Sequence, residues 1–301
     1  MIGIITCIRH PDSAKDFNVV KSLLFNTITT LENQTDQNFK LYIVCNKGSD
    51  ISIDDRINVE IIWIDRECPQ LVNVVDDETQ EKQWHEVRKD KGIKYFYGLQ
   101  QAYKDSMDYV MLIDADDYLH NSLVDFINKH KAEYDGIIVD KGYSYSISSK
   151  FLGDMKRFNK VCGTCNSFSM KILKPFICDN VAKSEAEILK DDFVLRILGS
   201  HLNGFEFIEA QRGRAGSFPF HAVIYLIDNG ENDSQVTNLV GFPRLVNESI
   251  INNFSLASYE ENHIKSLYKL ALLRCAYYLK PKMKQVKIYL KNIKNLLLKR
   301  V

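Results

Sequence analysis

The sequence predicts an α/β fold, a doubly wound and mostly parallel sheet flanked by helices, with a helical extension at its C-terminal end. Three observations predict it. Short β-branched runs alternate with longer segments of helical periodicity. Those runs are apolar nearly throughout, as strands covered on both faces are. From residue 263 onward the chain becomes lysine-rich and helix-periodic.

The strand-like runs occupy residues 2–8, 41–45, 59–64, 109–113 and 136–139. Residues 17–31 carry Val20, Leu23, Leu24, Thr27, Ile28 and Leu31 on one helical stripe. Residues 95–107 and 123–134 read as two further helices, and 76–82 as a polar loop. From Val161 the pattern becomes irregular, with one helix expected over 184–198. Lysine-rich helical segments follow at 261–279 and 284–298, split by Pro281. A boundary near residue 245 divides a domain over 1–245 from an extension over 246–301.

Composition narrows the class. In 301 residues, 45% apolar and 26% charged content excludes a disordered chain, and 14 Gly with 6 Pro exclude collagen-like architecture. Seven cysteines, an odd number, leave at least one unpaired within the chain, which argues against a secreted disulfide framework. The first apolar run stops at Arg9, too soon for a signal peptide, and no run approaches the ~20 residues of a spanning helix. A cytoplasmic chain is expected, with the inner face of a membrane as its one alternative station. The formal charge balances at 39 basic and 39 acidic residues, yet eleven basic residues and no acid follow His263. An acidic body thus carries a basic tail.

The sharpest motif is Tyr109-Val-Met-Leu-Ile-Asp114-Ala115-Asp116-Asp117, an apolar strand running into three carboxylates. In extended backbone, side chains at i and i+2 share a face. Like charges that close raise one another's pKa unless a cation lies between them. Hard oxygen ligands suit Mg²⁺ or Mn²⁺ bridging substrate phosphates, and open α/β sheets bind ligands at this edge. The alternative for the same residues is an acidic turn or helix cap.

The order of elements up to about residue 235, with this Asp-x-Asp segment, resembles the GT-A fold glycosyltransferases, in particular the bacterial family-two-like enzymes. Further segments carry the resemblance: Leu31-Glu-Asn-Gln34-Thr-Asp-Gln-Asn-Phe39, Asp90-Lys-Gly92-Ile-Lys94 with Gly98, Gly163-Thr164-Cys165-Asn166-Ser167, and Asp191-Asp192-Phe-Val-Leu195-Arg196. The resemblance implies a GT-A-type sheet and metal-dependent, inverting transfer of a sugar from a nucleotide-diphosphate donor. The implied acceptor is a glycan or lipid-linked molecule of bacterial surface polysaccharide. It implies metal ligation by Asp116 and Asp114 with His221 as a third candidate, and donor contacts from Thr6, Asn46, Lys94, Asp114, Ala115 and Asp116. A sugar and acceptor pocket is implied at Gly163, Thr164, Cys165 and Asn166, and a general base at Asp192 with Asp191 as its rival. His201 and Asp233 are weighed beside His221 as late metal ligands. Two departures stand out. The turn after the second strand is Cys45-Asn46-Lys47-Gly48-Ser49, without the family's base-reading carboxylate, and Asp191 stands where Glu is usual.

Two other functions remain open from sequence: a GT-A-like binding or scaffold protein without catalysis, and a haloacid-dehalogenase-type phosphatase, whose Asp-x-Asp follows its first strand. Nucleic acid is not expected as a partner of an acidic body. For residues 263–301 the expected partner is an anionic membrane surface. The catalytic domain and a second copy of the chain, as a homodimer, are the alternatives.

Overall fold

The computed structural model describes residues 1–54, 56–70, 72, 74–180, 183–232, 236, 238–257 and 266–279. In chain order the elements are β1 (Ile2–Cys7), α1 (Phe17–Glu32), β2 (Phe39–Asn46), β3 (Val59–Ile64), α2 (Asp77–Lys104), β4 (Tyr109–Asp114), β5 (Tyr118–Leu119) and α3 (Leu123–His130). They continue with β6 (Gly136–Ile138), β7 (Lys141–Ser146), β8 (Leu152–Lys156), β9 (Asn166–Ser169), α4 (Met170–Asn180), α5 (Glu185–Ile188), α6 (Gly204–Ala210), β10 (Ala215–Ser217), β11 (Val223–Ile227), β12 (Phe242–Arg244) and α7 (Glu248–Phe254).

A seven-stranded sheet runs in the order β10-β6-β9-β4-β1-β2-β3. Strands β3, β2, β1 and β4 are mutually parallel, β10 is parallel to β6, and only β9 runs against its neighbours. The mostly parallel α/β sheet expected from the near-continuous apolar runs is present, because both faces are covered. One cluster joins α1 and α3 to Ile4, Leu41, Ile43, Met111 and Ile113. The other packs α2, α4 and α6 on Ile5, Val44, Val110 and Leu112. The chain builds β2 and β3 on one side of β1 and then returns to place β4 on the other. The carboxyl ends of β1 and β4, where Cys7 lies opposite Asp114, therefore form the topological switch point. A second sheet, β12-β8-β7-β11-β5, packs with α7 through Leu23, Leu152, Ile224, Leu226, Phe254 and Leu256. The extension expected from residue 246 thus begins inside a packed segment.

Two expected elements differ. Residues 76–82 are the start of α2 and not a loop. Asp76 caps the helix, its carboxylate accepting from Thr79 N at 2.9 Å while Thr79 reaches back to Asp76 N at 3.1 Å. Asp77 and Glu78 add favourable charge to the first turn. At 28 residues the helix is about 42 Å long. Residues 184–198 do not make one helix: α5 is a single turn, and Val194–Leu198 form a wide π-type turn. That turn is pressed onto α2 at Gly92, where a Cβ would lie 3.1 Å from Val194 Cγ1. Among the described residues of the tail, 266–279 are helical; the segment 284–298 lies outside the described residues.

Candidate active site

A cleft of about 610 Å³ opens at the switch point. Its walls come from the end of β1 (Cys7, Ile8, Arg9), the turn after β4 (Asp114, Ala115, Asp116), one face of α2 (Trp84, Val87, Arg88, Lys91) and the segments around Lys160, Gly163 and His201. Strand β4 ends at Asp114, and Ala115–Asp116 form a turn. That turn, and not the pleat of an extended strand, brings both carboxylates to one cleft.

Asp114 is held from several sides. Its backbone N–H donates to Thr164 Oγ1 at 2.8 Å, Tyr95 Oη donates to its Oδ1 at 3.3 Å, and the Lys91 ammonium pairs with the same oxygen. Burial pushes the Asp114 carboxyl up, but the adjacent Lys91 charge outweighs burial and holds it below the ordinary carboxylate value. Burial by itself would lower Lys91, and the Asp114 carboxylate reverses this, leaving the ammonium above its usual value. Asp116 also lines the cleft, and Asn229 Nδ2 donates to its Oδ2 at 2.8 Å.

Asp117 has another task. It is fully buried and accepts from Thr164 Oγ1, from the Cys162 thiol at 3.1 Å and from Leu226 N at 3.3 Å. Thr27 Oγ1 donates to its carbonyl at 2.9 Å. Asp117 thereby ties α1, the 162–164 loop and β11 to the turn that carries Asp116. Burial, with Asp116 and Asp114 nearby, raises its carboxyl far above the usual range.

Among the described residues, the tightest group of metal-ligand atoms is Asp114, Asp117 and Cys162, all within 4.8 Å of one another. Asp117 is spent on its three donors, and burial keeps the Cys162 thiol protonated. A protonated thiol is also a poor partner for a hard cation. Asp90 and Glu231 also line the cleft but are committed, Asp90 to the Lys94 ammonium and Glu231 to Arg9 and the amides of Lys15 and Asp16, which leaves Asp114 and Asp116 as the carboxylates at the carboxyl end of β4.

The other expected residues are placed as follows. Ala115 and Gly163 line the cleft, while Thr164, Cys165 and Asn166 are buried and do not. Thr6, Asn46 and Lys94 are buried and do not line it. Asn46 Nδ2 donates to Arg66 O at 2.9 Å, and Lys94 Nζ donates to Ile8 O at 2.9 Å and Asp90 Oδ2 at 2.6 Å. Lys94 is thus a fastener of α2 to the end of β1 and no contact for a donor in the cleft. Neither Asp191 nor Asp192 lines the cleft. Asp191 accepts from Phe193 N and Asn180 Nδ2, and the Asp192 side chain is 82% exposed beside Arg196. His221 is also elsewhere: its Nε2 lies 3.0 Å from Asp154 Oδ1, and its ring stacks on Tyr143 at 4.1 Å. Asp233 lies outside the described residues.

The histidine that lines the cleft is His201, which burial and the Lys91 charge lower to about 4, so its imidazole is neutral. Lys91, Arg9 and Glu231 are cleft residues that the sequence reading did not single out. Glu231 clamps the β1 loop through Arg9 at 3.1 Å and the amides of Lys15 and Asp16. A signal for Lys91 existed: Trp84, Val87, Arg88 and Lys91 recur at i, i+3, i+4 and i+7, one face of α2.

No protein-family profile and no curated protein matches the chain. It is similar in shape to solved structures of S. aureus TarS. The TarS 1–349 complex with UDP covers 75% of this chain at 12% identity and a TM-score of 0.43. The UDP-GlcNAc complex covers 78% at 13% identity and the same TM-score. The chain spans 60% and 61% of the length of these two structures.

Proposed function

We propose that this chain is a glycosyltransferase that moves a sugar from a nucleoside-diphosphate donor to a glycan or lipid-linked acceptor, by single displacement with inversion. The observation that carries the reading is the placement of Asp114 and Asp116 at the carboxyl end of β4, lining a cleft at the switch point that Arg88, Lys91 and Lys160 also line. A phosphatase of the type whose nucleophile follows its first strand is disfavoured, since β1, β2 and β3 all precede this motif.

A divalent cation fits the donor set. Asp116 presents carboxylate oxygen to the cleft, Asp114 stands beside it, and hard oxygen is what Mg²⁺ and Mn²⁺ prefer. Asp116 and Asp114 are the residues that would hold the ion; His201 lines the same cleft, while His221 does not. Such an ion, when bound, offsets the charge that builds on a departing diphosphate. The protein's own part is to orient and to exclude water. Arg88, Lys160 and Trp84 line the cleft, and they are the cations and the ring available to the anionic part of the donor and to its sugar. Thr164 and Asp117 hold the turn rigid. The test is to incubate the protein with a panel of nucleotide-sugars and Mn²⁺ and to follow nucleoside diphosphate release. Release from one donor class, lost with a chelator, is expected; release from none, with and without candidate acceptors, overturns the reading.

For the tail we propose an anionic membrane surface. No helix among the described residues is long and apolar enough to cross a membrane. The helix over 266–279 docks through Leu270, through Arg274 Nε on Pro243 O at 3.2 Å, and through the Arg274 guanidinium over the Phe242 ring. It leaves Leu267, Tyr268, Leu272, Tyr278 and Leu279 more than half exposed. Apolar exposure beside a lysine-rich sequence suits the headgroup boundary. Full-length protein should pellet with anionic vesicles at low salt while a chain ending at residue 262 stays in solution. Equal behaviour of the two contradicts it.

A further inference from the structure

The pairing of Lys91 with Asp114 is built into the fold. Helix α2 is fastened at this level by Lys94, which is fully buried and bonded to Ile8 O, and by the Asp90–Lys94 pair one turn along. Lys91 therefore enters the cleft from a fixed backbone. On the opposite side, Gly163 closes over the pair: a Cβ there would collide with Asp114 Oδ2 and lie 2.7 Å from Lys91 Nζ. Both side chains remain about a quarter exposed and both line the cleft. The ammonium thus sits on an oxygen that a cation shared by Asp114 and Asp116 would need.

We propose that Lys91 is a resident counter-ion that a divalent cation must displace from Asp114 before the carboxylate pair can take the metal. The inference rests on the reading of Asp114 and Asp116 as a cation-binding pair. Without metal, the Lys91 charge satisfies Asp114 and keeps the two aspartates from repelling each other. When metal enters, the lysine stem lets the ammonium swing within the cleft, which Arg88 and Lys160 also line. Lys91 is a positioning residue here, acting through Asp114. The protein's affinity for metal alone is consequently set low, and an anionic donor that accepts the released ammonium raises it, which is a coupling between the two ligands.

The test uses the full chain and Mn²⁺ alone, without nucleotide, titrated by calorimetry and by the loss of free Mn²⁺ signal in electron paramagnetic resonance. An adjacent opposite charge shifts a carboxylate by about one to three pK units, so removing it should change cation affinity by about tenfold or more. Lys91→Met and Lys91→Gln are both expected to bind Mn²⁺ at least about tenfold more tightly than the native protein. Lys91→Arg, which keeps the charge, is expected to stay near the native affinity. Thermal melts establish that each variant is folded, and Mn²⁺ should raise their melting temperatures in the same order. Native-like or weaker Mn²⁺ binding by both neutral variants overturns the role of Lys91 and leaves the carboxylate pair standing. No Mn²⁺ binding by any of the folded proteins overturns the pair itself, and this inference with it.

Discussion

Lys94→Met separates a structural lysine from a donor-binding one. The Lys94 side chain has no exposure; its ammonium lies 2.6 Å from Asp90 Oδ2 and 2.9 Å from Ile8 O. Methionine fills nearly the same volume, so little cavity is created, but Ile8 O loses its donor and the Asp90 charge loses its partner. Breaking a buried pair costs about 3–5 kcal/mol. Here Arg66 Nε remains 3.5 Å from the other Asp90 oxygen and relieves part of that loss. The lower end, about 3 kcal/mol, is therefore expected. For a chain of 301 residues that lowers the melting temperature by roughly 5 °C. Differential scanning calorimetry reads the change, and a second variant, Asp90→Leu with Lys94→Met, should recover part of it because no buried charge is left unpaired. At a temperature where the single variant is folded, its affinity for a nucleotide-sugar should stay close to native. A melting temperature within about 2 °C of native, with donor affinity lost, would refute the reasoning and make Lys94 a ligand.

Asp192→Asn alters an exposed carboxylate outside the cleft and should leave turnover within about twofold; a loss of ~10²–10⁴ would restore Asp192 as the general base. Gly163→Ala inserts a methyl against Asp114 and Lys91, and overpacking of about 1–3 kcal/mol should appear in urea unfolding together with weakened Mn²⁺ binding; unchanged metal binding would show that the loop gives way freely. Burial holds His120 and His201 at about 4 against an ordinary 6.5, so the unfolded chain binds more protons between these values. Stability should rise with pH from about 4 to 6.5 on their account. Replacing His120, which packs against Phe220 and Phe254, by Phe should flatten that rise; an unaltered slope would assign it to other groups.

The sheet was legible because its central strands are buried on both faces, and β1, β2, β3, β4 and β6 announce themselves as apolar runs. Helix α1 was legible for a related reason, since a regular stripe faces the core. The first half of α2 was not: Trp84 and Val87 are its only apolar residues, too few to mark a helical stripe beside the Asp76/Thr79 cap. At the site, Asp114 and Asp116 could be found because a strand delivers them to the sheet edge. Lys91 could not be weighed correctly, because its partner lies 23 residues away on another element. The same limit applies to Asp192 and His221. Residue type and order suggested their roles, while the turn over Val194–Leu198 and the Asp154 carboxylate decided where they stand. Asp117, third in an acidic run, reads like its neighbours in sequence but is turned inward by Thr164, Cys162 and Leu226.

The most direct test of the central claim is calorimetric binding of nucleoside diphosphates, with and without Mn²⁺, to the native protein and to Asp116→Asn. The substitution keeps shape and removes one charge from the cleft. The account predicts that the native protein binds one nucleoside diphosphate in a Mn²⁺-dependent way and that Asp116→Asn, with an unchanged melting temperature, loses the Mn²⁺-dependent part. Undiminished Mn²⁺-dependent binding by the variant would contradict it.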